Sequence, residues 1–304
     1  VIIGGQVDKV VTTALYGGLG NQLFQYAAAR ALAARRKVPL VLDLSWFDNI
    51  PASDAVTPRK YALSPFALNA QVQSTGFYTQ SQHFLKKVFR RVLRQFGLAN
   101  QGGVYFERSF AFDPQVLELS APVCLHGHWQ SPKYFSDAQE IIRAEIGSVG
   151  AMSEKSRALH AEISAADAIC LHVRRGDYVT NKNAAQFHGL CSMDYYRQGV
   201  QIAAADLRNP HGYVFSDDPE WVRQNLDVGL DFTVVDVNGL DDAHQDLWLM
   251  AACKNFVIAN SSLSWWGAWL GACPQKRVVA PLAWFNDAQR NTSDLIPGEW
   301  VRLA

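Results

Sequence analysis

Short apolar runs rich in β-branched residues alternate with helix-length segments through the second half of the chain. This alternation limits the fold more than any other feature. Ala168–Val173, Gly212–Ser216, Phe232–Val235, Asn255–Ala259 and Arg277–Ala280 read as strands. Helical patterns fall between them, near Asp194–Asp206, Pro219–Leu226, Ala243–Lys254 and Ser264–Gly271. Strands that are apolar on both sides of the pleat predict a parallel sheet covered by helices on both faces. The first half repeats the theme. Val10–Leu15 is a strand, Gly17–Gly20 a tight turn, Asn21–Arg36 a helix with Asn21 as its N-cap, and Val38–Leu42 a buried strand ending at Asp43. Residues 48–80, punctuated by Pro and Ser, are expected to form an irregular insertion. Another strand over 123–128 leads to Ser131-Pro132, which caps a helix running to about Ile146.

At 304 residues the chain is long enough for about two domains. The best linker candidate is Gly147–Ala151, so the expected domains are 1–150 and 151–304, with the last residues free to return to the first. Twenty-eight Lys and Arg balance 28 Asp and Glu, which argues against a dedicated nucleic-acid binder. The 49% hydrophobic content excludes a disordered chain. Five dispersed cysteines (Cys124, Cys170, Cys191, Cys253 and Cys273) include no C-x-x-C pair, so buried thiols in a reducing compartment are expected. No apolar run approaches the roughly 18 residues of a membrane span. The expected location is the cytoplasm.

Four polar clusters each follow a strand: Gly17-Gly18-Leu19-Gly20-Asn21-Gln22, His172-Val173-Arg174-Arg175-Gly176-Asp177, Ser216-Asp217-Asp218 and Asn260-Ser261-Ser262. Open α/β sheets bind ligands outside the carboxyl ends of their strands, and three of these clusters converge there in the second half. Arg174 and Arg175 suit a pyrophosphate, because each planar guanidinium can bind oxygens bidentately and offset charge on a departing diphosphate. The plainer alternative is a salt-bridged surface pair. Ser261-Ser262 at a helix start offers hydroxyls and free backbone N–H groups to an anion, or else ordinary capping. Asp217-Asp218 can accept from the N1–H and N2 amino edge of guanine, or cap the helix at Pro219. Gly18-x-Gly20 with Asp43 about twenty residues on is most of a nicotinamide-dinucleotide pattern, but Leu23 takes the third glycine's place. A sugar-nucleotide site and a plain capped turn both rank above that dehydrogenase reading. No Asp-x-Asp occurs and His126-x-His128 has no carboxylate near it in sequence, so no metal is expected. From His83 to Leu98 one helical face is apolar and the other carries Lys86, Lys87, Arg90, Arg91 and Arg94. That helix is expected to pack on its domain, with contact to an anionic membrane surface as the alternative.

The glycine-Asn-Gln run continuing to Ala27, the His172–Asp177 motif, Phe215-Ser216-Asp217-Asp218 and Asn260–Gly267 together resemble the α1,2-fucosyltransferases. Trp129-Gln130-Ser131-Pro132-Lys133-Tyr134-Phe135 and Asp246-Leu247-x-Leu249-Met250 are similar to the same family, and the likeness spans about residues 11–285. The resemblance implies an α/β protein of GT-B type, with two Rossmann-like domains facing across a cleft, acceptor side first and donor side second. It implies metal-independent, cofactor-free, inverting transfer of L-fucose from GDP-β-L-fucose to the 2-hydroxyl of a galactose-terminated oligosaccharide. Carried over residue by residue, Arg174 contacts the donor pyrophosphate, His172 and Asp218 flank the guanine, Ser261 and Ser262 hold phosphate, and Asn21 lies near the transferred sugar. Gly20, Gln22 and Arg175 join the donor side, and Trp129 and Gln130 the acceptor side. Asp177 is the nearest carboxylate in sequence to the phosphate motif and the candidate base. Golgi members of the family begin with a transmembrane anchor that is not read in this sequence, so it looks like a bacterial, soluble or membrane-peripheral member, with O-antigen units as plausible acceptors at the inner face of the membrane. Two other classes stay open: the dehydrogenase, and a non-catalytic carbohydrate-binding protein using its nine tryptophans as stacking platforms.

Overall fold

The computed structural model describes residues 9–50, 59–77, 103–147, 150, 152–176, 189–287 and 290–304. The chain divides into two compact units, Val1–Ser148 with Asn291–Leu295, and Val149–Arg290 with Ile296–Ala304. Asp177 and the basic segment 83–98 lie outside the described residues. Among those described, no helix is long and apolar enough to cross a membrane.

The first unit is built on β1 (Val11–Ala14), α1 (Leu19–Arg36), β2 (Leu40–Asp43), β3 (Gln71–Gln73), β4 (Val104–Phe106), β5 (Val123–His126) and α2 (Gln139–Gly147). Its five strands are all parallel, in the order β3-β2-β1-β5-β4. Helix α1 buries Leu23, Phe24, Ala27, Ala28, Ala31 and Leu32. Its alanines keep the helix close to the sheet, and Tyr26 and Arg30 both reach Glu145 of α2. Asn21 is not the N-cap: α1 begins at Leu19 with extended Gly18 in the capping place, and Asn21 sits in the first turn. Two further expectations change. Residues 48–80 are not wholly irregular, because Gln71–Gln73 adds an edge strand. The helix after Ser131-Pro132 is split: Ser131 Oγ accepts from the Lys133 N–H and opens a 3₁₀ stretch to Ala138, and non-helical Phe135 breaks it before α2.

The second unit contains α3 (Glu154–Ala165), β6 (Asp167–Val173), α4 (Met193–Ala204), β7 (Pro210–Ser216), α5 (Pro219–Asn225), β8 (Phe232–Val235), α6 (Ala243–Ala251), β9 (Asn255–Val257), α7 (Ser262–Leu270), β10 (Val278–Pro281) and β11 (Val301–Leu303). All six strands are parallel, in the order β11-β10-β9-β6-β7-β8. Strand order reverses between β6 and β9, which makes a topological switch point there. Helix α4 packs tightly on the sheet because Gly199 has no side chain: a Cβ would stand 2.7 Å from Val257 Cγ1. Its two tyrosines tie that helix to the strands, Tyr196 donating to the His172 carbonyl at 3.1 Å and Tyr195 to the Ile258 carbonyl at 2.5 Å.

The position of α7 depends on a close approach at its middle and on contacts at its C-terminal end. A Cβ at Gly267 would meet Met250 Cβ at 2.7 Å, so the glycine lets α7 lie directly against α6. Lys276 Nζ donates to the Ala268, Trp269 and Gly271 carbonyls at 2.7, 3.1 and 2.6 Å, neutralising the negative end of the helix. Eight of the nine tryptophans are buried, and Trp265, Trp266, Trp269 and Trp300 form one aromatic cluster. The stacking platforms of a carbohydrate-binding module are therefore not available on these side chains. Gly267→Val forces α6 and α7 apart, and the expected overpacking cost is about 1–3 kcal/mol. It should appear as a lower urea midpoint for unfolding with an unchanged slope.

Candidate functional site

In the second unit the carboxyl ends of β9, β6 and β7 stand side by side, and each carries one of the polar clusters. Asp217 organises them. Its Oδ1 accepts from the Arg175 backbone N–H at 2.8 Å, and its Oδ2 lies 3.1 Å from the Arg174 guanidinium. The carboxylate fits there because Gly176 has no Cβ, which would overlap Asp217 Oδ2. Arg174 is thus held at its root and its charge while its side chain keeps about a fifth of its surface open.

Arg175 has a different environment. Its guanidinium lies 3.8 Å above the Trp221 ring, with Nε 3.5 Å from Asp218 Oδ2. The other oxygen of Asp218 caps α5 by accepting from the Trp221 N–H at 3.2 Å. Asp218 therefore both caps a helix and pairs with an arginine. Trp221 is the tryptophan that keeps partial exposure.

His172 is buried at the end of β6, and its Nδ1 has no hydrogen-bond partner among the described residues. Burial, and then the Arg174 charge, lowers its pKa to about 4, with Asp217 pulling the other way. The imidazole is neutral at physiological pH. At the end of β9, the Asn260 amide donates to the Gly189 and Trp284 carbonyls at 3.4 and 3.3 Å. Ser261 is extended and takes the N-cap place of α7 without a side-chain cap bond, so its hydroxyl is not spent on capping. The serines thus lie at a helix N-terminus, where backbone N–H groups and the helix dipole favour an anion.

In the first unit, Asn21 Oδ1 accepts from Gln130 Nε2 at 2.8 Å, which joins the end of β1 to the end of β5. Gln22 serves the backbone instead: Nε2 donates to the Gly17 and Lys60 carbonyls, and Oε1 accepts from the Ala62 N–H. Gly20 is buried in the first turn of α1. Trp129 offers no surface for an acceptor, since it is fully buried against Tyr105 and Tyr134. Asp43 does not await a ribose. It is buried, with Oδ1 accepting from Ser45 N and Oδ2 from Phe77 N, both at loop turns. That removes the acidic residue on which the dehydrogenase reading stood. Among the described residues no group of three or more His, Cys, Asp or Glu side chains is placed to hold a metal ion.

Three residues have surroundings that the sequence did not indicate. Asp217, read with Asp218 as a guanine acceptor or helix cap, instead holds the Arg174 guanidinium and the Arg175 N–H. Trp221 became visible only when α5 brought it under Arg175. Asp246, in a noted motif, is a buried carboxyl accepting from Asn238 Nδ2 at 2.7 Å, and burial raises its pKa to about 6.

The His172 environment has a pH consequence. Unfolding returns the imidazole to its ordinary value near 6.5, so between about pH 4 and 6.5 the unfolded chain binds a proton that the folded chain does not. Acidification through that window should remove stability, by up to about 3 kcal/mol. Wild type should lose stability relative to His172→Asn as pH falls from 6.5 to 4 in paired urea titrations. A difference between the two that stays constant with pH would show that the imidazole is not held neutral.

The profile of Glycosyl transferase family 11 matches residues 89–304. The chain is 32% identical over 302 residues to the O-antigen biosynthesis glycosyltransferase WbnK of Escherichia coli, covering 95% of this chain and 99% of that one. It is 31% identical over 297 residues to an α-1,2-colitosyltransferase of Escherichia coli, covering 97% and 99%. The structure of NodZ α-1,6-fucosyltransferase of Bradyrhizobium, soaked with GDP-fucose, superposes with a TM-score of 0.50 at 17% identity, covering 87% of this chain and 93% of that one. That likeness identifies the fold, two α/β units each built on a parallel sheet, as GT-B-like. With the profile spanning most of its sequence and two relatives above 30% identity along nearly all of it, the chain is a glycosyltransferase belonging to glycosyl transferase family 11.

Proposed function

We propose that this glycosyltransferase moves L-fucose from GDP-β-L-fucose to the 2-hydroxyl of a terminal galactose, with inversion to an α1,2 linkage. The observation that carries the donor assignment is Arg174, fixed by Asp217 at the β6 switch point, with a neutral imidazole whose Nδ1 has no partner among the described residues and the start of α7 on the same sheet edge. A diphosphate needs a cation held in place, a helix N-terminus for its oxygens and no competing negative charge left unpaired. Asp217 is already paired, so it orients Arg174 without repelling the phosphates. Arg175, stacked on Trp221 and beside Asp218, sits where it can flank the nucleoside.

In this reading the acceptor O2 attacks the sugar C1 as the bond from C1 to the diphosphate oxygen breaks. The electron pair leaves on GDP, and the acceptor proton passes to a base or to solvent. Arg174 and the Ser261-Ser262 helix start meet the growing negative charge, a task that a divalent ion performs in other enzymes. Asn21 belongs near the reacting sugars, and Gln130, read as an acceptor-side residue, is bonded to it. The α-1,2-colitosyltransferase relative supports a second reading, in which the transferred sugar is colitose, the 3-deoxy counterpart of fucose, carried on the same nucleotide. The two donors differ by one hydroxyl, so they share the diphosphate chemistry described here.

Arg174→Lys retains charge and loses the planar fork. Turnover with GDP-fucose should fall about 30- to 150-fold, equivalent to about 2–3 kcal/mol of transition-state stabilisation. Survival within a few-fold would remove Arg174 from the role. The assay uses a panel of galactosides and both GDP-fucose and GDP-colitose, with product linkage read by NMR. An α1,2-linked product from neither donor would overturn the proposed reaction. Activity should also persist in excess EDTA, and a strict divalent requirement would contradict charge neutralisation by Arg174 and α7.

A further inference from the structure

The segment from Gly127 to Gln130 carries an unusual combination of backbone strain and unpaired polar atoms. Trp129 has φ of 55°, in the left-handed region that bulky side chains avoid. Its indole Nε1 and the neighbouring Gln130 Oε1 are both buried, and neither has a hydrogen-bond partner among the described residues. Such a segment is costly to hold and persists only where its surroundings impose it.

Glu107 imposes it. This residue follows β4, at the same edge of the sheet, and its two carboxylate oxygens each take one backbone N–H. Oε2 accepts from His128 at 2.8 Å and Oε1 from Trp129 at 2.9 Å. Gly127 makes room, since a Cβ there would overlap Glu107 Cβ. Carboxylate-to-backbone bonds of this kind are charge-assisted and directional. With the turn fixed, the Gln130 side chain is carried to Asn21, where Nε2 donates to Asn21 Oδ1 at 2.8 Å. In that bond the Asn21 oxygen points toward Gln130 and its nitrogen away from it. Gly17 leaves space on the nitrogen side, because a Cβ there would stand 2.8 Å from Asn21 Nδ2.

From this chain of contacts we infer that Glu107 and Gln130 are positioning residues that fix the orientation of the Asn21 amide toward a neutral, hydroxyl-bearing sugar. The inference rests on the proposed reading of Asn21 as a sugar-facing residue. An amide paired in this way discriminates hydroxyl donors from acceptors and has no charge with which to attract a phosphate. The sugar is either the one transferred or the one accepting it, and the arms of the test separate the two.

The test is a mutant cycle on the full chain. Gln130→Glu replaces the donor NH2 with a carboxylate, which turns the Asn21 amide around. Glu107→Gln replaces one accepting oxygen with an NH2 group facing a backbone N–H. Each single variant should lower kcat/KM about 10- to 100-fold while the Kd for GDP alone, measured by calorimetry, stays within twofold. A change confined to the KM for the galactoside identifies the acceptor sugar, and one confined to the sugar nucleotide identifies the transferred sugar. In an Asn21→Ala background neither substitution should cost more than another twofold, because both act through the residue already removed. Effects that multiply in that background, a parallel loss of GDP affinity, or a fully active Asn21→Ala would each overturn the inference. If Glu107→Gln does not fold, Glu107→Asp, with its carboxylate withdrawn by one methylene, takes its place in the cycle. Wild-type activity separates the two levels: a wild type that forms no α1,2 product defeats the proposed function, whereas an active wild type with unaffected variants defeats only the positioning role.

Discussion

The Asp217 carboxylate is the contact on which the donor-side geometry depends. One oxygen holds the peptide N–H of Arg175 and the other the guanidinium of Arg174, so a single side chain from the β7 loop sets both the path and the charge of the β6 loop. The arrangement requires glycine at position 176, because any Cβ would occupy the carboxylate's place. The same charge balance reaches His172. Burial and Arg174 keep the imidazole neutral against the opposing pull of Asp217, which leaves an uncharged ring beside a fixed cation. A site for a diphosphate gains from this economy: one cation is oriented, one anion is already paired, and the ring next to them adds no charge.

A comparable device operates in the first unit with backbone in place of arginine. Glu107 grips two consecutive N–H groups and holds Trp129 in a conformation it would not choose, and the turn then delivers Gln130 to Asn21. In both units a carboxylate at a strand end fixes a loop from the neighbouring strand, and a glycine makes the space. Parallel sheets favour this, because all their carboxyl-end loops emerge on one edge and can bind one another.

The pattern of apolar runs makes much of the second unit legible in the sequence. Strands β6 to β10 and helices α4 to α7 lie within a few residues of where periodicity placed them, because buried parallel strands and their covering helices leave distinct signatures. The short edge strands were not legible. Gln71–Gln73, Val104–Phe106 and Val301–Leu303 are each three residues long and are strands only because a neighbour pairs with them. The start of α1 departs from the sequence expectation for a similar reason. Asn21 has the chemistry of an N-cap, but Gly18 takes that place and frees the Asn21 side chain for Gln130.

Composition and motif spacing alone determined a parallel α/β protein of about two domains, and they singled out Arg174, His172, Ser261 and Asn21 at strand ends. These properties are local, carried by hydrophobic period and by polar residues placed just after apolar runs. Only the tertiary structure decided what each polar group faces. It turned Asp43 and Gln22 toward backbone, buried Trp129 and most of the other tryptophans in the core, and made Asp217 the partner of Arg174. Partners of that kind come from different strands, tens of residues apart. Their pairing is set by sheet order and by the space left at a few glycines, which no local pattern records.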